Sequence, residues 1–305
     1  MAWTSIGSAG TAVGSTSADQ SSATFIVGAS GIASGAVSVL FVACDNYYEN
    51  NLAEAVTGIA DTAGNVWVKA IEFTQGSVSP QGGCTISVWY SLIRSALVST
   101  DTIVASLSNS SSRDATVIGC WSYSISSGYT VKVFSTDTLA THLAPAIGLL
   151  NVTTPNSEFL RIRATALEIG GDPSGLAIAP TSSWTELVEG WAGAQDASGM
   201  YLHAEGLIST GTGADSDPDQ GGDTIDCASA YIAFLEVPPL TAWHRSLNEP
   251  PPPPPRLETG SQQFYLPPNQ PIFRRSKAID GSHDGTPLLH GLHDKTSQIA
   301  IKVNS

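Results

Sequence analysis

Apolar residues in this chain recur at every second position or in short unbroken runs, and polar, glycine-rich intervals separate them. Residues 36–44, Ala-Val-Ser-Val-Leu-Phe-Val-Ala-Cys, form a near-continuous apolar run that predicts a central strand buried on both faces. Residues 58–90 read as an antiparallel hairpin at the heart of the core. Asp61, Gly64 and Asn65 have turn chemistry, residues 66–71 and 85–90 carry the alternation of strands, and the breaker-rich interval 75–83 joins them. Further strands are predicted at 22–27, 102–107, 115–125, 158–168, 184–188, 200–208 and 228–237. Within them Val117, Gly119, Trp121 and Tyr123 share one face. Leu160, Ile162, Ala164 and Ala166 share another, with Arg161, Arg163 and Thr165 turned the other way. Residues 91–98 leave room for one short helix.

Many short strands with no sustained helical period predict an all-β chain. The expected form is an antiparallel β-sandwich, jelly-roll-like, over residues 1–240. The pattern then stops. Residues 241–256 are a proline-rich linker containing six consecutive prolines, Pro250 to Pro255. Such a run is held in polyproline II and spans about 19 Å at ~3.1 Å per residue. Residues 257–305 have few apolar groups and no period, and read as an extended docking arm. Its anchors are Phe264, Tyr265, Leu266, Ile272, Phe273, Leu288, Leu289, Ile299, Ile301 and Val303, and the last three could add a strand to a neighbour's sheet.

Charge sharpens this division. Of the net −14, residues 1–240 hold six Lys/Arg against 22 Asp/Glu, whereas residues 241–305 hold seven against five. An acidic body does not neutralise phosphates, so nucleic acid is not an expected partner. The four cysteines, Cys44, Cys84, Cys120 and Cys227, lie in apolar runs without a CxxC pair, which predicts buried free thiols in a reducing compartment. The first residues lack a basic segment followed by an apolar one, and no run reaches the ~18 apolar residues of a membrane span. Synthesis in the cytosol without membrane insertion is expected.

The turn Asp61-Thr-Ala-Gly-Asn-Val-Trp67 is followed after about 20 residues by Val88-Trp-Tyr. With Asp101-Thr-Ile-Val104, Cys120-Trp-Ser-Tyr123, Phe159-Leu-Arg-Ile162, Glu168 and Tyr231-Ile-Ala-Phe-Leu-Glu236, it resembles β-sandwich domains of structural proteins in tailed bacteriophages and of some bacterial surface proteins. The resemblance covers roughly the first four-fifths of the chain. It implies a virion component without enzymatic activity, made in the host cytoplasm. The placement it favours is the tail fibre or baseplate, with the sandwich displayed for host-surface contact. The copies would form a homo-oligomer, trimeric by resemblance, with the arm holding other virion proteins. A capsid decoration protein whose arm bridges capsomers is one alternative, and a carbohydrate-binding module of a polysaccharide-degrading protein is another.

The densest chemical constellation is acidic. Asp215, Asp217, Asp219, Asp223 and Asp226 fall at positions 1, 3, 5, 9 and 12 of a loop, the spacing that wraps oxygen ligands around calcium. Gln220 stands where that loop needs glycine, and Pro218 sits inside it, so a solvated acidic turn is the competing reading. No cofactor is expected otherwise. His283, His290 and His293, with Asp284 and Asp294, read as a polar contact segment rather than a metal cluster. Tyr47, Tyr48, Trp184 and Trp191 lie near loops and are the candidate platform for a glycan. No G-x-S-x-G is centred at Gly31–Gly35, where Ala33 takes the nucleophile's place. The glutamates Glu158, Glu168, Glu186, Glu189 and Glu205 read as outward strand or loop residues, so catalysis is not expected.

Overall fold

The computed structural model describes residues 3–16, 20–45, 54–76, 83–108, 115–139, 158–170, 183–193, 198–210, 226–239, 288–293 and 299–304. The chain divides into two compact units, Met1–Glu249 and Pro250–Ser305. In the first, the early strands are β1 (Thr4–Ser8), β2 (Val13–Ser15), β3 (Ser22–Ile26), β4 (Val37–Asp45), β5 (Val56–Asp61), β6 (Val68–Gly76), β7 (Gly83–Leu92), β8 (Thr102–Leu107) and β9 (Thr116–Ser124). They are followed by β10 (Thr130–Leu139), β11 (Glu158–Gly170), β12 (Thr185–Ala192), β13 (Ser198–Thr210) and β14 (Asp226–Val237). In the second unit β15 (Leu288–His293) pairs antiparallel with β16 (Ile299–Asn304).

All these pairings are antiparallel, and those of the first unit make a β-sandwich-like stack. A six-stranded central sheet has the order β1-β9-β4-β7-β6, with β2 also on β9. A three-stranded sheet, β3-β8-β5, covers one of its faces, and a five-stranded sheet, β10-β14-β11-β13-β12, covers the other. The sequence pattern of β4 explains the middle position, since all nine of its residues are buried. Val37, Val39, Phe41 and Ala43 enter the core shared with the five-stranded sheet, while Leu40, Val42 and Cys44 enter the core shared with the three-stranded one. Alternation along a strand sends successive side chains to opposite faces, so an apolar residue at every position requires a cover on both sides.

The expected hairpin is present as β6 and β7, paired from Val68↔Tyr90 to Gly76↔Gly83. It differs in one respect. β6 is the edge of its sheet and a register shift between Lys69 and Ile71 changes its inward face, so Trp67 is buried while Val66 and Val68 are exposed. The helix allowed for residues 91–98 does not form. Ile93 and Leu97 exchange main-chain hydrogen bonds with the turn at residues 32–36, and both side chains enter the core beside β3 and β8. Their spacing suits a helix, but irregular pairing buries them equally well.

The Asp61 turn is a hydrogen-bonded knot. Asp61 Oδ1 accepts from the amides of Ala63 and Asn65, both at 3.0 Å, and Oδ2 accepts from Trp67 Nε1 at 2.8 Å. Gly64 has φ +73°, a conformation that costs a residue with a Cβ about 1 kcal/mol. Asn65 extends the knot, accepting at Oδ1 from the amides of Arg94 (2.8 Å) and Ser95 (2.9 Å) and donating from Nδ2 to the Ser95 carbonyl (3.0 Å).

Side chains also tie the central sheet to the five-stranded one at the strand ends. Gly83 N donates to Glu168 Oε2 (2.7 Å), Cys227 N to Gln75 Oε1 (2.7 Å), Trp3 N to Glu158 Oε2 (3.1 Å) and Ser126 N to Glu236 Oε1 (2.6 Å). Between those ends the sheets approach closely: a Cβ on Gly119 of β9 would lie 2.3 Å from Val188 Cγ1 of β12.

All four cysteines are buried free thiols, and burial pushes the Cys120 thiol well above its ordinary pKa. An aromatic disulfide reagent at pH 8 should therefore find no reactive thiol in the native protein and four on unfolding. Rapid labelling of the folded chain would contradict this packing. Gly119→Ala should cost about 1–3 kcal/mol by overpacking against Val188, read as a lower urea midpoint.

Candidate functional site

Strand alternation in the five-stranded sheet gives it an apolar face and a charged one. Leu160, Ile162, Ala164 and Ala166 of β11, Met200, Leu202 and Ala204 of β13, and Ala228, Ala230 and Ile232 of β14 enter the core against the central sheet. The intervening residues point away from it, and register gathers them. Arg163 is opposite Glu205 on one side and Tyr231 on the other, and Thr165 is opposite His203 and Ser229. Glu189 of β12 is in turn opposite His203.

This face is buried as well. Arg161 is 4% exposed, Arg163 2%, His203 1% and Glu205 0%. Glu205 lies at the centre, with Oε2 accepting from Arg163 Nη2 at 2.9 Å and Oε1 2.8 Å from His203 Nε2. A carboxylate only accepts, so Nε2 carries the proton of that bond. His203 Nδ1 is then buried without a hydrogen-bond partner among the described residues. The Arg163 guanidinium lies 5.8 Å from the centre of the Trp184 ring, a cation–π distance. Around this group Tyr201 donates its hydroxyl to Glu189, Thr165 Oγ1 is 3.0 Å from Ser229 Oγ, and Cys227 Sγ is 3.6 Å from the same hydroxyl.

Chemically this is a carboxylate shared between a guanidinium and an imidazole and closed off from water. It resembles the acid and base of a catalytic pair in composition, but a general base must come within about 3 Å of the proton it takes from a substrate. At 1% exposure His203 meets no solvent-borne molecule. Among the described residues, no three His, Cys, Asp or Glu side chains gather as a metal site.

The residues singled out in the sequence fall as follows. Trp184 is 7% exposed and packs on Arg163, so it belongs to the interior and not to an open platform. Trp191, 45% exposed at the end of β12, is the platform residue that is exposed. Tyr47 and Tyr48 lie outside the described residues, as do Asp215, Asp217, Asp219 and Asp223. Asp226 opens β14 opposite Glu168. Of the arm's anchors, Leu288 and Leu289 lie on β15 and Ile299, Ile301 and Val303 on β16, so these two groups pair with each other. Phe264, Tyr265, Leu266, Ile272 and Phe273 lie outside the described residues.

The reading of the glutamates as outward residues needs correction at four of five positions. Glu158, Glu168, Glu189 and Glu205 each accept a hydrogen bond from another strand or segment, and only Glu186 stands exposed. The buried group built on Glu205 was not anticipated. Its one sequence signal is the pair Arg161 and Arg163, cations at alternate positions within the apolar middle of β11.

No protein-family model matches the chain, and no curated protein or solved structure matches it either.

Breaking the buried pair on one side leaves an uncompensated charge. Arg163→Met alone should cost about 3–5 kcal/mol, whereas Arg163→Met combined with Glu205→Leu should cost clearly less. Chemical denaturation of both single variants and the double variant checks this, and a double loss equal to the sum of the single losses would show that the pair is not coupled.

Proposed function

We propose that this chain is a non-enzymatic structural protein of a tailed-phage virion, placed at the tail fibre or baseplate and displaying its β-sandwich for host-surface contact. The observation that carries the reading is the order of β2 to β9. β2, β4, β7 and β9 belong to one sheet and β3, β5 and β8 to the sheet packed on it, so the chain crosses between the two at nearly every step. That interleaving supports a jelly-roll plan, in which β6 would be added beside β7 instead of beside β5. Jelly rolls recur in viral capsid and lectin domains, and the argument from that recurrence is one of fold analogy.

Two further features support a display role over a catalytic one. The buried charged group is sealed, and the ties between the sheets consume Glu158, Glu168 and Glu236 as structural acceptors. The separate C-terminal unit begins with the six prolines, which suits a stiff spacer between a displayed body and a fastening segment. In this reading the fastening segment holds other virion proteins, and a symmetric oligomer, trimeric in the simplest case, multiplies weak contacts at the displayed end.

Imaging purified particles that carry a label at residue 305 tests the proposal. Label on the tail tip or fibres is the expected result. Label at symmetric positions over the head would make the chain a decoration protein instead, and particles free of label would exclude the virion role. Removal of residues 257–305 should abolish incorporation into the particle.

A further inference from the structure

We infer that a groove at one end of the stacked sheets binds the carboxylate-bearing ring of an acidic sugar through Arg94. The inference rests on the display reading and names the ligand class that the displayed body would meet.

The groove holds about 500 Å³, within the range of small-molecule sites. Its walls come from three parts of the chain distant in sequence: the turn at residues 33–36, the end of β7 with residues 93–94, and the turn at residues 124–130, with Ile6 of β1 at the edge. Among the described lining residues Arg94 is the one that carries a charge. Its main chain is clamped from two sides, the amide donating to Asn65 Oδ1 and the carbonyl accepting from Ser34 Oγ, both at 2.8 Å. Among the described residues its guanidinium has no ion pair or hydrogen-bond partner. The fixed main chain anchors an exposed side chain at the groove, and its guanidinium donors are open to an incoming acceptor.

The rest of the lining decides which acceptor fits. Ser127, Thr130 and Tyr129 bring hydroxyls and an aromatic ring, and Ile6, 55% exposed, brings apolar surface. Hydroxyls matched by an apolar face describe a sugar ring, whose own surface divides between O–H edges and C–H faces. The guanidinium fork matches a carboxylate in two parallel hydrogen bonds. Glu236, bonded to the Ser126 end of the lining, directs its two oxygens at the Ser126 amide and hydroxyl. The whole chain carries −14, which opposes a polyanion spread over its surface. A single carboxylate at Arg94 is screened from distant acids, because the Debye length is about 8 Å at physiological salt.

The test is a titration of the full-length, isotope-labelled protein at constant ionic strength with glucuronate, glucose, acetate and inorganic phosphate in turn. The expected result is saturable shifts of the Gly35 and Gly128 amide signals and of the Arg94 side-chain signal by glucuronate, with glucose and acetate each at least about tenfold weaker. Arg94→Gln should weaken glucuronate about tenfold or more while leaving the thermal midpoint unchanged, since its main-chain clamps remain. Equal binding of acetate and glucuronate, tighter binding of phosphate, or full affinity in Arg94→Gln would each overturn the inference. The measurement uses isolated protein, so its failure leaves the particle location open, and failure of the particle labelling leaves the groove chemistry standing.

Discussion

Everything in the larger unit follows from β4 being apolar at successive positions. A strand with two apolar faces is unstable with one cover, because whichever face is left bare exposes either Val39 and Phe41 or Leu40 and Val42. Full burial of such side chains contributes about 1.5–3 kcal/mol each, comparable with the ~1–2 kcal/mol of backbone entropy lost per ordered residue. Both covers are therefore needed, and the neighbours of β4 inherit the condition. On β7, Ile86 and Val88 serve one core and Trp89 the other, and on β9 Val117 serves one while Ile118 and Cys120 serve the other. Three layers are the least that this central pattern allows.

Apolar packing does not by itself fix how layers are joined at their ends, and here polar side chains do so. The acceptors that meet strand-end amides come from the opposite sheet, so a bond that satisfies a main-chain donor also resists shear between layers. Asp61 and Asn65 perform the same service within one edge. They close a turn, hold Trp67 by its indole nitrogen and fix the loop at Arg94 and Ser95. A motif that resembles a family signature is thus accounted for by hydrogen bonding alone, and its reach into the groove at Arg94 makes that structural knot the support of a candidate binding residue.

Much of this was legible in the chain. The all-β class, the double burial of β4, the hairpin of β6 and β7 and the free buried thiols follow from alternation and composition, which are local properties. What was not legible depended on partners far away in sequence. The helix allowed at residues 91–98 failed because Ile93 and Leu97 found main-chain partners near Ile32 and Ala36, some 60 residues earlier. Arg161 and Arg163 could be placed on one face of their strand, but no local pattern says whether that face is covered. The position of Trp184 beside a loop suggests an aromatic open to a ligand for the same reason, and the guanidinium of Arg163 lies against its ring instead.

The buried charges of β11 and β13 have an explanation in register. The inner row of this sheet is rich in small residues, Ala164, Ala166, Ala204, Ala228 and Ala230, which discriminate weakly between alignments. A slip by one residue is forbidden because it exchanges the faces, yet a slip by two preserves the alternation. Moved by two positions, Arg163 would stand opposite His203 or Leu207 and lose Glu205, leaving a buried cation beside a buried anion's empty place. An ion pair of this kind adds little net stability over an apolar pair of the same volume, but its misalignment costs several kcal/mol. The charged row therefore selects the one alignment that the alanines leave ambiguous.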